Sequence, residues 1–157
     1  MNKRIVILII LLGLLLSVGC AANTSVAEET AALTGTWHVT VAESTGGEPG
    51  FEAYHTFHGD GTMTEVSSLL PKLTESPAHG AWAKAGDEYD ATFELFTFNE
   101  AGEQDIRIRV RMTVTLNDPD HFTGNADVDL LLPDGTVERG IDSAPVAGTR
   151  LKVEGAG

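Results

Sequence analysis

The fold is decided by the stretch Asp105-Ile-Arg-Ile-Arg-Val-Arg-Met-Thr-Val-Thr-Leu116. Apolar side chains occupy every even position from 106 to 116, and arginine or threonine occupies every odd position from 107 to 115. Strict alternation over this length is typical of a β-strand with one buried face and one solvated face. We therefore expect a sheet protein built around this strand.

Shorter strands are predicted on both sides of it, each bounded by clusters of glycine, aspartate, asparagine or proline. They cover residues 35–42, 51–57, 62–69, 79–85, 89–98, 105–116, 121–132, 136–141 and 147–153, and residues 70–78 form the longest irregular segment. No helix of any length is predicted among them. Short strands at regular spacing indicate an antiparallel barrel or sandwich. Consecutive hairpins favour an all-β fold with a single up-and-down barrel of about eight or nine strands, because closure removes exposed edges.

Charge pairing predicts the register of the long strand. On one side we expect Leu116 to pair with Phe122, and on the other Phe98 with Asp105, because both pairings keep the apolar residues on one face. These registers place three charged pairs on the outer face: Arg111 with Asp127, Arg109 with Asp129, and Glu94 with Arg109. We interpret the arginines as a solvated exterior ladder. An arginine cluster that binds an anionic ligand is the alternative, although the neighbouring acids would compete with that ligand.

The first 20 residues carry the pattern of an export signal. Asn2-Lys3-Arg4 is basic, Ile5 to Leu16 is almost purely aliphatic, and the run is too short for a full membrane span. Leu16-Ser-Val-Gly-Cys20 resembles the bacterial lipobox. The resemblance implies cleavage before Cys20, a diacylglyceryl group on its thiol, and the lipid bilayer as a partner of the mature chain. An ordinary secretory signal with an unmodified thiol is the alternative.

This interpretation divides the chain into a lipoprotein signal peptide at residues 1–19, a lipidated tether at 20–33 and a barrel domain at 34–154. Ala21 after the cysteine resembles the pattern that is sorted to the outer membrane of double-membrane bacteria. We therefore expect a lipid-anchored protein of the bacterial cell envelope whose domain is extracytoplasmic. Cys20 is the only cysteine, so no disulfide supports the fold.

The chain is strongly acidic, with a net charge of −13. Removal of residues 1–19 takes away Lys3 and Arg4 and leaves eight basic against 23 acidic side chains, a net charge of −15. Nucleic-acid binding draws its affinity from lysine and arginine against phosphate. We therefore exclude nucleic acid as a partner.

Two motifs resemble known barrel families. Gly35-Thr-Trp37 resembles the Gly-x-Trp signature of lipocalins and the wider calycin superfamily, in which the tryptophan plugs the closed end of the barrel. Ser76-Pro-Ala-His-Gly-Ala-Trp82, followed by the aromatic stretch Thr92-Phe-Glu-Leu-Phe96, resembles a group of small, largely uncharacterised secreted bacterial proteins with lipocalin-like barrels. The resemblance implies a lipocalin-like fold and no established reaction.

The first function that we predict is non-catalytic binding of a small, mostly apolar ligand in the barrel lumen by a membrane-anchored lipoprotein. Inward-pointing aromatic and aliphatic side chains would form an apolar cup with one orienting imidazole, as binding sites of this kind require. The residues predicted to form the cup are Trp37, Phe51, His55, Trp82, Phe93 and Met112.

Two other functions remain open. One is a barrel-type isomerase or cyclase that uses His55 or His79 as its acid or base, although either histidine could equally serve the structure, through hydrogen bonds within the core or to a loop backbone. The other is a structural or interaction module whose barrel is filled by its own side chains. His55 and His58 lack a third ligand at a convincing spacing, so no metal is predicted. No motif for a cofactor is present, and none is predicted.

Overall fold

The structure, a computed structural model, describes residues 32–69 and 74–155, and all regular elements in these two ranges are β-strands. The predicted signal peptide, Cys20 and most of the predicted tether lie outside the described residues. No helix in the described ranges is long and apolar enough to cross a membrane. In chain order the strands are β1 (Gly35–Val41), β2 (Phe51–Phe57), β3 (Thr62–Ser67), β4 (Thr74–Glu75), β5 (Ala78–Ala85), β6 (Glu88–Phe98), β7 (Gln104–Asp118), β8 (His121–Leu131) and β9 (Val137–Arg150).

Eight of these strands close into an antiparallel up-and-down barrel, as predicted. Each strand pairs with the next one along the chain, except that β3 pairs with β5, and β1 pairs with β9 to complete the ring. The two-residue strand β4 is added beside the end of β6, where Thr74 pairs with Phe98 and Glu75 with Thr97. Strand β4 falls within the segment that was predicted to be irregular.

The last predicted strands, at 136–141 and 147–153, are one continuous strand β9. Its pairing with β8 shifts register between Val128 and Leu130, where β9 contains extra residues. Gly140 lies in this bulge with φ +58°, a left-handed conformation that favours glycine. Its backbone N–H donates to Asp129 Oδ1 at 2.9 Å. The chain therefore bulges at Gly140 without leaving the sheet.

The long strand β7 lies between β6 and β8 in the predicted registers. Leu116 pairs with Phe122, and Arg109 lies opposite both Asp129 and Glu94. The prediction that Phe98 pairs with Asp105 is wrong, because a bulge shifts Phe98 to Gln104. The alternating pattern therefore sets the inward face of β7, and its registers with β6 and β8 bring Arg109 opposite acidic residues on both sides.

The arginines of β7 form an ion-paired ladder on the outside of the barrel. Arg109 Nη2 lies 2.7 Å from Glu94 Oε1, and Arg107 also contacts Glu94 at 3.1 Å. Arg111 reaches diagonally to Asp129, at 3.1 Å, instead of pairing closely with the directly opposite Asp127 at 3.8 Å. Asp129 has no exposed surface beneath these groups. Each arginine is thus occupied by a carboxylate, which supports the ladder interpretation.

An aromatic plug fills one end of the barrel, which we call the closed end. Its members are buried and stand in contact, with ring centroids 5.0 to 6.0 Å apart along the pairs Trp37–Phe122, Phe57–Trp82 and Trp82–Tyr89. Both indoles find a hydrogen-bond acceptor: Trp37 Nε1 donates to the carbonyl of Leu33, and Trp82 Nε1 to that of His58. We define the aromatic plug as Trp37, Phe57, Trp82, Tyr89 and Phe122.

Arg150 locks the chain across the closed end. Its guanidinium lies 4.1 Å from the centre of the Trp37 ring. It also donates to three backbone carbonyls, those of Ala32, Thr34 and Pro119, at 2.6, 2.6 and 2.8 Å. The planar guanidinium carries donors in a fixed fork, so one side chain can hold the entry to β1, the β7–β8 turn and the aromatic plug together.

We expect Arg150→Ala to lower the free energy of unfolding by about 2 to 4 kcal/mol, because the three carbonyls lose a charged donor and Trp37 loses its cation. Arg107→Ala is the matched control. Its partly exposed ion pair should contribute at most about 1 kcal/mol. Urea unfolding of both variants and the wild type at pH 7, followed by circular dichroism, measures the difference. Equal destabilisation by the two substitutions would contradict a special contribution of the Arg150 contacts to stability.

Candidate functional site

A cavity of about 610 Å³ occupies the end of the barrel opposite the aromatic plug. The strands β8 and β9 present small side chains here, including Ala126, Ala144 and Val146. Nothing on these strands fills the space as Phe122 does at the closed end. A volume of this size lies within the range of small-molecule sites. Much of the wall is apolar and is formed by Phe51, Phe93, Leu95, Ile108, Val110 and Met112.

The loop between β1 and β2 borders the mouth of the cavity and is fastened to β9. Asp142 Oδ1 accepts hydrogen bonds from Thr45 Oγ1 at 2.9 Å and from the Gly46 backbone at 2.8 Å. Hydrogen bonds, chiefly from the Ser44 side chain and the Gly46 backbone, lower the pKa of Asp142 to about 2. Asp142 therefore stays ionised near neutral pH and holds the loop, whose residues Glu48 and Pro49 line the cavity.

His55 is the buried imidazole of the cavity wall. Only 3% of its surface is exposed, and its ring meets the edges or faces of Phe57 and Phe93 at centroid distances of 6.2 and 5.5 Å. Its Nδ1 has no hydrogen-bond partner among the described residues. Burial lowers the pKa of His55 to about 4, because the charged form loses its hydration. The imidazole is therefore neutral at pH 7, with one nitrogen as donor and the other as acceptor.

Two carboxyl groups share the wall with this histidine. Glu65, 7% exposed, is paired with His55 across β2 and β3. Burial raises the pKa of Glu65 to about 7, and the charge of the nearby Glu75 contributes. Burial also raises the pKa of Glu75, and the hydrogen bond from Ser67 Oγ, 3.4 Å from Glu75 Oε2, opposes that shift. A carboxyl group that titrates near pH 7 inside a cavity is a candidate functional group.

Glu65 and Glu75 are not among the residues predicted from the sequence, although the strand pairing that places Glu65 can be derived from it. The tight turn at 58–61 joins β2 to β3 and pairs Phe57 with Met63. Two residues farther from the turn on each strand, the same register brings His55 opposite Glu65 on the inner face. Glu75 left no comparable signal, since it lies in the segment that was predicted to be irregular.

The structure brings together four of the six residues predicted to bind a ligand. Phe51, His55, Phe93 and Met112 all line the cavity. Trp37 and Trp82 do not line it, because their rings pack in the aromatic plug against Phe122 and Phe57. Of the two predicted acid or base residues, only His55 reaches the cavity. His79 is exposed on the outer face, in a row with Thr64 and Glu94.

These groups can bind an apolar molecule, orient it through hydrogen bonds, and exchange a proton with it. Within the described part of the chain, no three histidine, cysteine or acidic side chains are grouped so that they could hold a metal ion. No family model matches the sequence, and none of the curated proteins compared with it matches. The function must therefore be argued from the cavity itself.

Glu65→Gln tests the raised pKa through the pH dependence of stability. Because the folded-state pKa, about 7, lies above the ordinary 4.5, the folded state holds more protons between these values. Ionisation of Glu65 therefore lowers the free energy of unfolding as the pH rises through this window. We expect the variant to exceed the wild type in stability by up to about 3 kcal/mol at pH 8, and the difference to vanish near pH 4.

His55 acts in the opposite direction, since its lowered pKa makes the folded state lose stability as the pH falls from 6.5 to about 4. This contribution is common to the variant and the wild type and cancels in their difference. Urea unfolding at several fixed pH values measures that difference. Glu138→Gln, at an exposed position outside the cavity, serves as the control. A Glu65→Gln variant that is less stable than the wild type at pH 8 would contradict this prediction. It would show that ionisation of Glu65 lowers the free energy of unfolding very little.

Proposed function

We propose that the protein is a membrane-anchored lipoprotein whose barrel binds a small, mostly apolar ligand without changing it chemically. The observation that carries the proposal is the cavity of about 610 Å³ at one end of an otherwise plugged barrel. A mostly apolar wall with a few polar groups on one side is the usual composition of a small-molecule site. A barrel that served only as a structural module would be expected to fill this space with its own side chains.

The anchor rests on the lipobox-like sequence that ends at Cys20. Acylation by two or three chains would give stable attachment, since each buried methylene contributes about 0.8 kcal/mol. The described chain begins at the closed end, where Arg150 binds the carbonyls of Ala32 and Thr34. The tether thus joins the barrel opposite the mouth of the cavity.

A specific observation also favours a second function, proton-transfer catalysis of the isomerase or cyclase type. A histidine reaches the cavity next to a second ionisable group, Glu65, whose pKa of about 7 suits a general acid or base at neutral pH. Here Glu65 would transfer the proton, because the lowered pKa of His55 makes its imidazole a weak base. Binding remains our first proposal, since a pair of raised carboxyl pKa values also arises from burial alone.

Native mass spectrometry of the full chain, purified from its own host membranes, tests the binding function. We expect a non-covalent adduct of small-molecule mass on the wild type. Ala126→Phe, which places a large ring in the cavity, should abolish it, whereas Ala83→Phe on the exposed outer face should retain it. Recovery of apo protein only, with no thermal shift across a panel of lipids and metabolites, would contradict the proposal. The denatured mass of the same sample reports the acyl groups on Cys20.

Deuterium incorporation separates catalysis from binding. If Glu65 exchanges a proton with carbon, the molecule that copurifies with the wild type should gain deuterium at carbon during incubation in D₂O. Glu65→Gln should then prevent the gain while retaining the adduct. Mass spectrometry of the extracted molecule after return to H₂O, which removes deuterium from nitrogen and oxygen, gives the readout. No incorporation in the wild type would argue against catalysis by proton transfer.

A further inference from the structure

The charged groups in the cavity wall all carry one sign. Four carboxyl groups line it, and no lysine or arginine does so among the lining residues that the structure describes; the four are Glu48, Glu65, Glu75 and Asp142. Fatty acids and other organic anions would meet carboxylates there without a cationic partner. The wall thus favours a ligand that brings positive charge or strong hydrogen-bond donors.

Only two of the four carboxyl groups are placed to receive a ligand inside the cavity. Asp142 is already occupied by hydrogen bonds from the β1–β2 loop, and Glu48 is exposed at the mouth. Glu65 is buried and Glu75 is half-buried, so each has lost part of its hydration. Two neighbouring carboxylates that have lost hydration repel each other, so ionisation of both is unfavourable without a counter-charge. The described residues of the wall provide no such counter-charge, and a bound cation would provide it.

His55 gives an independent indication that a ligand completes this wall. It is 97% buried and faces the cavity, yet its Nδ1 has no hydrogen-bond partner among the described residues. Buried polar atoms are rarely left unpaired, because each one costs its lost hydration. His55 is also neutral at pH 7, so it provides no positive charge for the carboxyl pair. An incoming polar group can pair with the imidazole and the carboxyl groups together.

We propose that the ligand is an apolar amine whose ammonium group binds to Glu65 and Glu75, close to His55, while its hydrocarbon part packs on the wall of Phe93, Val110 and Met112. This inference rests on the ligand-binding function proposed above. An ammonium provides three donors and one positive charge, which match two carboxyl groups and a neutral imidazole. The described acids and histidines do not form a metal-binding group, and the apolar wall suits an organic cation better than a hydrated ion.

Three probes with one scaffold test the charge requirement: tryptamine, tryptophol and indole-3-propanoate. They share an indole and a two-carbon arm and end in an ammonium, a hydroxyl and a carboxylate. The full chain in phosphatidylcholine nanodiscs is titrated calorimetrically at pH 8, with empty nanodiscs as the reference for partition into lipid. We expect tryptamine to bind at least about tenfold more tightly than tryptophol, and indole-3-propanoate to bind most weakly.

Substitutions of Glu65 and Glu75 test where the ammonium group of the ligand binds. Glu65→Gln should weaken tryptamine binding by about tenfold or more and change tryptophol binding by no more than about threefold. Glu75→Gln, the second test should Glu65→Gln fail to fold, is expected to act in the same direction. Glu138→Gln on the outer surface is the matched control and should leave all three affinities unchanged.

Three results would overturn the amine proposal and can be told apart. If tryptophol or indole-3-propanoate binds as tightly as tryptamine, and Ala126→Phe abolishes that binding, the ligand is not selected as a cation but the binding function stands. If none of the probes binds and the native mass spectra show only apo protein, both proposals fail. Equal loss of tryptamine and tryptophol binding in well-folded Glu65→Gln would also overturn the ammonium contact.

Discussion

Closure of the sheet imposes the constraint on which the rest of this structure depends. Eight antiparallel strands enclose an interior that must be filled by side chains or left as a cavity, because no strand can move inward without losing its neighbours. The aromatic plug fills the closed end with five large rings, and Arg150 ties the chain over it. At the other end, Ala126, Ala144 and Val146 leave the volume unfilled. The cavity is thus produced by an unequal distribution of side-chain volume along the barrel axis.

Within that cavity the chain departs from the rule that it follows elsewhere. Inward positions of the barrel are apolar or aromatic almost throughout, whereas β2 and β3 place His55 and Glu65 opposite each other on the inner face. Replacement of both by apolar residues would remove the desolvation cost that shifts their pKa values. Local conflicts of this kind are expected at functional sites, where stability is given up for binding or chemistry. Asp129 differs from His55 and Glu65. It also has no exposed surface, but it lies on the outer face of the sheet beneath other side chains. Its carboxylate accepts hydrogen bonds from Arg111 and from the Gly140 backbone.

Much of the fold could be predicted because period-two patterning says directly which residues face inward. The barrel, the registers of β7 near Arg109 and the inward positions of Phe51, His55, Phe93 and Met112 follow from it. Patterning does not say how far along the axis an inward residue lies. Trp37 and Trp82 therefore face inward like the residues of the cup, although their rings pack in the plug. The predicted gap in β9 at 142–146 contains Asp142, Ser143 and Pro145, which are residues typical of turns but pair with β8 here. Strand β4 is too short to leave any pattern.

The charge of the whole molecule connects the barrel to its proposed ligand. The chain carries a net charge of −13, and cavities with low-dielectric walls concentrate the field of their charges. An anion would have to approach against this field and then pass Glu48 and Asp142 at the mouth. A cation is attracted on the same path. The acidic composition thus also favours entry of the ligand class that the interior carboxyl groups are proposed to select.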